Sequence, residues 1–182
     1  YEEVLLEIGT TMKSPQYLAV NPMGKVPAIR HGDTVVTESA AVCAYLAELA
    51  PQKRLAPLAG SPARGDYYRW LFFMAGPVES LMTARMAGGP LALARSAGYG
   101  EPEVLLDTLE KAVAGRTYLA GDHFTAADLY VSACLGYYLM TGALEKRPAF
   151  EAYVGQHVQR PAALAAAARD DALAATLASA AA

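Results

Sequence analysis

Asn21-Pro22-Met23-Gly24-Lys25-Val26-Pro27-Ala28-Ile29-Arg30-His31-Gly32-Asp33-Thr34-Val35-Val36-Thr37-Glu38-Ser39 is the stretch from which the rest of the chain is read. Pro27 fixes its own φ, has no N–H to donate, and holds Val26 in extended geometry. Within a sheet a proline sits at an edge or at a strand end. A cis Val26–Pro27 bond, a recurrent arrangement of X-Pro at tight turns, turns the Val26 N–H and C=O outward. There they can pair with the backbone of a short peptide laid alongside. Ala28–Arg30 and Thr34–Thr37 read as short strands joined by a turn at His31-Gly32-Asp33. Thr37-Glu38-Ser39 then opens a helix. Its free N–H groups and dipole suit a carboxylate, and Glu38 suits an ammonium. An edge for a peptide backbone is therefore expected beside a pocket for an amino-acid head group.

Working outward, Tyr1–Ile8 carries Val4, Leu5, Leu6 and Ile8 and predicts a buried strand. Gly9–Val20 predicts a loop with a helical turn starting at Ser14-Pro15. Glu38–Leu49 predicts a helix with Val42, Cys43, Leu46 and Leu49 on one side, stopped before Pro51. Ala50–Pro62 holds three prolines and a glycine with little periodicity and reads as a linker. Only helical patterns follow. Ala63–Met86 is interrupted at Gly76-Pro77, where a kink is expected. Ala87–Gly100 is glycine-rich and reads as a loop, and Glu101–Ala114 is amphipathic, with Val104, Leu105, Leu109 and Ala112 or Val113 inward. Thr125–Met140, Pro148–Gln159 and Pro161–Ala168 complete a bundle. The alanine-rich tail beyond is expected to fray. The fold class is thus α/β plus all-α, with residues 1–50 as one domain, 51–61 as linker and 62–182 as an all-helical domain.

Three strings in order carry a family resemblance: NPMGKVPAI with TES at 21–39, ESAAVCAYLAELAP at 38–51, and FTAADLYVSA at 124–133. They resemble the glutathione-binding segment, the third helix and the buried capping box of the glutathione S-transferase superfamily. The likeness covers the chain from its first strand to about Arg160. It implies a thioredoxin-like N-terminal domain followed by an all-helical one, in a cytoplasmic homodimer that joins the glutathione thiolate to small hydrophobic electrophiles in detoxification. Glutathione would be held by the Val26 backbone, by Glu38 and Ser39 at its γ-glutamyl head, and by Lys25 and Lys13 at its carboxylates. The resemblance also implies a strand and a helix before Tyr1. The hydroxyl or thiol that activates glutathione would lie there, so no catalytic residue is expected within the chain. An isomerase, a dehalogenase, a disulfide reductase and a non-catalytic glutathione-fold module share the same scaffold.

Other residues have structural readings. Thr125-x-x-Asp128 is a capping box, with Phe124 positioned to staple onto Leu129. Cys43 and Cys134 fall at apolar helical positions and form no CxxC, which suggests core residues in a reducing compartment. His31, His123 and His157 have no metal-ligand spacing, so no metal is expected. Tyr67, Tyr68, Trp70, Phe72 and Phe73 cluster on the first bundle helix, in its core or at an interface. In the family the hydrophobic-substrate pocket lies beside this helix, so the resemblance implies that one or two of them face it. The helix is apolar on several faces, which agrees with the implied dimer. A net charge of −3 leaves no basic footprint for nucleic acid. No apolar run approaches the ~20 residues of a membrane span.

Overall fold

A two-residue reversal at Gly32-Asp33 folds Ala28–His31 (β1) back onto Thr34–Thr37 (β2) in the computed structural model, which describes residues 1–88, 91, 93 and 95–180. Gly32 takes φ 58° at the first central position of the loop, where the twist of the flanking strands favours a positive φ. The antiparallel register pairs Ala28 with Thr37, Ile29 with Val36, Arg30 with Val35 and His31 with Thr34. Pro27 sits just before β1, where its missing N–H removes no ladder bond, and Val26–Pro27 is cis as expected.

By its packing the chain divides into two units, Tyr1–Ala56 and Pro57–Ala182. In the first, the turn Pro15–Leu18 (α1) precedes the hairpin and Ser39–Leu49 (α2) follows it. The helix packs on both strands. Its buried residues are Ala40, Val42 and Ala47, whereas Leu46 and Leu49 are exposed. The expected face was therefore wrong at two positions, because small alanines bring the helix close to the hairpin and turn the leucines away. Tyr1–Ile8 is also corrected. Tyr1, Val4, Leu5 and Ile8 are exposed, and no ladder partner for the segment lies among the described residues. A short apolar run without a neighbouring strand to take its N–H and C=O groups does not form one.

The second unit is helical. Pro62–Phe73 (α3), Glu79–Met86 (α4), Pro102–Val113 (α5), Ala126–Thr141 (α6), Pro148–Val158 (α7) and Pro161–Ala180 (α8) make it up. Four of these begin with proline, whose missing N–H is harmless in the first turn. Between α3 and α4 the chain does not break at Gly76-Pro77. Met74–Val78 forms one π turn with Met74 and Val78 buried, a re-spacing of the ladder that accommodates a proline without an N–H. Tyr67, Trp70, Leu71, Leu81 and Met82 join these two in the core. On α5 the buried stripe is Leu105, Leu106, Leu109, Ala112 and Val113, and Val104 is exposed beside it, contrary to expectation. Helix α8 continues to Ala180 rather than fraying near 168, sustained by alanine's helix propensity. Of the expected loop 87–100 and tail, positions 89, 90, 92, 94, 181 and 182 lie outside the described residues.

Two side chains tie the helices together. Arg147, before α7, donates to Asp107 at 2.8 Å, Glu110 at 2.9 Å, Glu103 at 3.1 Å and Glu145 at 3.1 Å. Arg85 on α4 donates to Glu145 at 2.9 Å. Burial raises the Glu145 carboxyl, but a backbone hydrogen bond and the two guanidiniums override it and hold the group below its usual range.

The other is Asp128, whose residue is 0% exposed. Its Oδ2 accepts from the Thr125 N–H at 2.7 Å and the Thr125 hydroxyl at 2.8 Å, closing the expected capping box. Its Oδ1 accepts from the Leu119 N–H and the Tyr153 hydroxyl, each at 2.7 Å. Burial, then the Asp128 charge, pushes the Tyr153 phenol up. Leu129, the expected staple partner, is exposed. Phe124 lies under the Arg160 guanidinium at 3.3 Å and beside the His157 ring at 5.3 Å. Asp128→Ala would leave two buried N–H groups and a buried phenol unpaired. A loss of at least ~3 kcal/mol is expected by urea denaturation, against about 1 kcal/mol for Tyr153→Phe.

Candidate functional site

The segment before Pro27 is folded on itself by its own polar groups. Asn21 is 3% exposed. Its backbone N–H donates to Tyr17 O at 2.8 Å, and its carbonyl accepts from the Gly24 N–H at 2.8 Å. Its Oδ1 accepts from the Met23 N–H at 3.1 Å, an Asx turn, and its Nδ2 donates to Lys25 O at 2.8 Å. The Tyr17 hydroxyl donates to the same Lys25 carbonyl at 2.6 Å. Lys13, closing the 3-10 turn Thr11–Lys13, reaches over with Nζ 3.1 Å from Met23 O and 3.0 Å from Gly24 O. A Cβ at Gly24 would stand 2.7 Å from Met12 O and 2.8 Å from Lys13 Nζ, and Gly24 has φ 57°. Only glycine fits.

Beyond this knot Val26 is 54% exposed, and none of the described hydrogen bonds engages its N–H or C=O. The Lys25 ammonium is likewise exposed, and no described contact holds it.

Because Ala28 pairs with Thr37, Val26-Pro27 and Glu38-Ser39 lie at the same end of the hairpin. Glu38 has φ 68° and ψ 121°, a left-sided conformation that non-glycine residues rarely adopt and that recurs at ligand sites. Its carbonyl accepts from the Val42 N–H at 2.8 Å, but its side chain does not cap the helix. Helix α2 thus begins uncapped at Ser39, and the orphan N–H groups of its first turn are available to an anion. Of the five residues read from the sequence, Lys25, Val26, Glu38 and Ser39 stand around the hairpin end. Lys13 is tied in through Gly24, with two of its three donors spent on carbonyls.

Sequence reasoning missed Asn21 and Tyr17 as organisers, although Asn-Pro is a turn-forming dipeptide and signalled one of them. His31 lies at the far end of the hairpin, 3.0 Å from the Tyr45 hydroxyl. Burial raises the Cys43 thiol, which keeps it protonated at neutral pH and unlike an activated nucleophile. In the helical unit burial pushes the Tyr138 phenol up to about 12, with Cys134 and Glu79 adding to it, and pushes Tyr130 up as well. Among the described residues no three His, Cys, Asp or Glu side chains group as metal ligands.

Comparison with known proteins bears on the same two regions. A family model for the glutathione S-transferase N-terminal domain matches residues 1–49, and one for the C-terminal domain matches residues 96–161. The glutathione S-transferase GST-4.5 of Xanthomonas campestris is 30% identical over 141 residues, spanning 73% of this chain and 69% of that protein. The chain belongs to the glutathione S-transferase superfamily. The N-terminal unit is thioredoxin-like, the second is the all-helical domain, and the named relatives support a glutathione S-transferase enzyme. A sphingomonad glutathione S-transferase, solved in complex with glutathione, superposes with TM-score 0.66 at 31% identity over 82% of this chain and 76% of its own. An elongation factor 1-gamma of Oryza sativa subsp. japonica is 30% identical over 85% of this chain, which spans 39% of that protein.

In this member of the superfamily the close approach at Gly24 can be separated from its φ. Gly32 shares a left-handed φ but has nothing within 4 Å of an added Cβ. Gly32→Ala should cost about 1–2 kcal/mol, the left-handed penalty alone. Gly24→Ala should cost more than that in the same denaturant titration, because Met12 O must also move.

Proposed function

We propose that this protein conjugates the thiolate of glutathione to small hydrophobic electrophiles. The observation that carries the reading is the coincidence, at one hairpin end, of an unpaired Val26 backbone and the uncapped N-terminus of α2. A γ-glutamyl tripeptide has a backbone to pair with the first and an amino-acid head for the second. In this reading the Val26 N–H and C=O bond the cysteinyl residue. The first-turn N–H groups and the Ser39 hydroxyl hold the γ-glutamyl carboxylate, and Glu38 holds its ammonium. Lys25, together with the remaining donor of Lys13, neutralises the glycyl carboxylate. Bound this way, the tripeptide presents its sulfur. The thiolate is the attacking species and the electrophile's leaving group departs as the new C–S bond forms. No residue of this chain is assigned to activation of the thiol. Two free cysteines, and no described helix long and apolar enough to cross a membrane, agree with a cytoplasmic setting.

The likeness to elongation factor 1-gamma supports a second reading, a glutathione-fold module that binds without turnover. Turnover with an aryl halide separates the two. In calorimetry Glu38→Ala and Ser39→Ala should each weaken glutathione about tenfold or more, the loss of a charge-assisted hydrogen bond, with melting unchanged. Unchanged affinity in both variants would remove the head-group assignment.

A homodimer belongs to the same reading. Tyr68 and Phe72 lie one turn apart on α3 with ring centroids 6.4 Å apart, and Phe72 is 69% exposed. An aromatic pair in water on a helix whose other aromatic face is in the core suits a second copy meeting it across a two-fold axis. Sedimentation at micromolar concentration should give about twice the 19.2 kDa chain mass, and Phe72→Asp should shift it toward the monomer. A monomer for the unaltered protein would overturn the dimer.

A further inference from the structure

We propose that Asn21 and Tyr17 are positioning residues for the peptide edge, acting through the Lys25 carbonyl to aim the Val26 N–H at the ligand. The inference rests on the glutathione reading and goes beyond it, since that reading gives neither residue a contact with the tripeptide. Among the described residues Val26–Pro27 is the cis bond, so Lys25–Val26 is trans, and its C=O and N–H point in opposite directions. The Lys25 carbonyl receives two donors, Asn21 Nδ2 at 2.8 Å and the Tyr17 hydroxyl at 2.6 Å. With the oxygen pinned toward the knot, the Val26 N–H is directed away from it, on the side where the chain offers no partner. The Asn21 amide cannot serve in the flipped orientation. Its other end accepts from the Met23 N–H, so a flip would set donor against donor and oxygen against oxygen.

An unpinned Lys25–Val26 peptide unit can rotate about the bonds on either side of it. Association would then have to order it, and the loss would appear as weaker binding. The two residues therefore set affinity for the tripeptide and leave the chemistry of bound glutathione alone. Tyr17→Phe deletes one donor at a partly exposed site without changing the packing of Asn21. Asn21→Asp keeps the acceptor for Met23 and the volume, and replaces the donor to Lys25 by a carboxylate oxygen that repels it.

The experiment is calorimetry with S-methyl glutathione, which removes thiol chemistry, beside steady-state kinetics with glutathione and an aryl halide. Tyr17→Phe should weaken S-methyl glutathione and raise KM for glutathione by about three- to tenfold. Asn21→Asp should do so by more than tenfold. In both, kcat and KM for the aryl halide should stay within twofold, a split that general loosening of the fold would not produce. Affinities within twofold of the unaltered protein in Tyr17→Phe overturn the proposal, even if Asn21→Asp fails to fold. A fall in kcat with KM unchanged also overturns it. Failure of the unaltered protein to bind S-methyl glutathione overturns the glutathione reading itself, and the positioning role with it.

Discussion

A backbone N–H left without a carbonyl of its own chain is the constraint around which the first unit is built. Folded proteins pair nearly all such groups, because a buried unpaired one costs about as much as a lost hydrogen bond. Here two sets are left open at one hairpin end: the Val26 peptide group and the first turn of α2. Each is kept open by a residue that denies it a local partner. Pro27 supplies no donor and stands between Val26 and the ladder that starts at Ala28. Glu38, at φ 68°, carries its side chain away from the N–H groups that a serine or aspartate cap would occupy.

Much of this was legible in the sequence because it is written in residues with few conformational options. Proline, glycine and Asn-Pro restrict backbone geometry locally, so the Gly32 turn and the start of α2 followed without tertiary information, while the cis Val26–Pro27 bond was legible only from its NPMGKVPAI context. What escaped depends on packing. The face of α2 turned toward Ala40 and Ala47, since closeness to the hairpin favours small side chains over the leucines that hydrophobicity ranks first. The Tyr1–Ile8 segment has strand composition, but strand formation is decided by a neighbour and not by composition. The organising bonds of Asn21 and Tyr17 converge on a carbonyl four and eight residues away, and a carbonyl leaves no mark in a residue alphabet.

In the helical unit the same division holds. The capping box was read from Thr125 and Asp128 three positions apart, but the second half of the Asp128 environment came from Leu119 and Tyr153, far outside the motif. Gly76-Pro77 announced a disturbance, and it takes the form of a π turn with Met74 and Val78 in the core.

Arg147 gives the helical unit an asymmetric dependence on its surface charges. One guanidinium serves four carboxylates drawn from α5 and the stretch before α7, and Arg85 reaches two of the four, Glu145 and Glu103, from α4. Any single acid can be lost and three ties remain. Arg85 still meets Glu145 and Glu103 without it, but Asp107 and Glu110 pair with Arg147, and a lysine, with a single point charge, has no fork to span them. The network is thus redundant in its acids and dependent chiefly on one base. Sequence drift in this region should accumulate on Glu103, Asp107, Glu110 and Glu145 long before it reaches position 147.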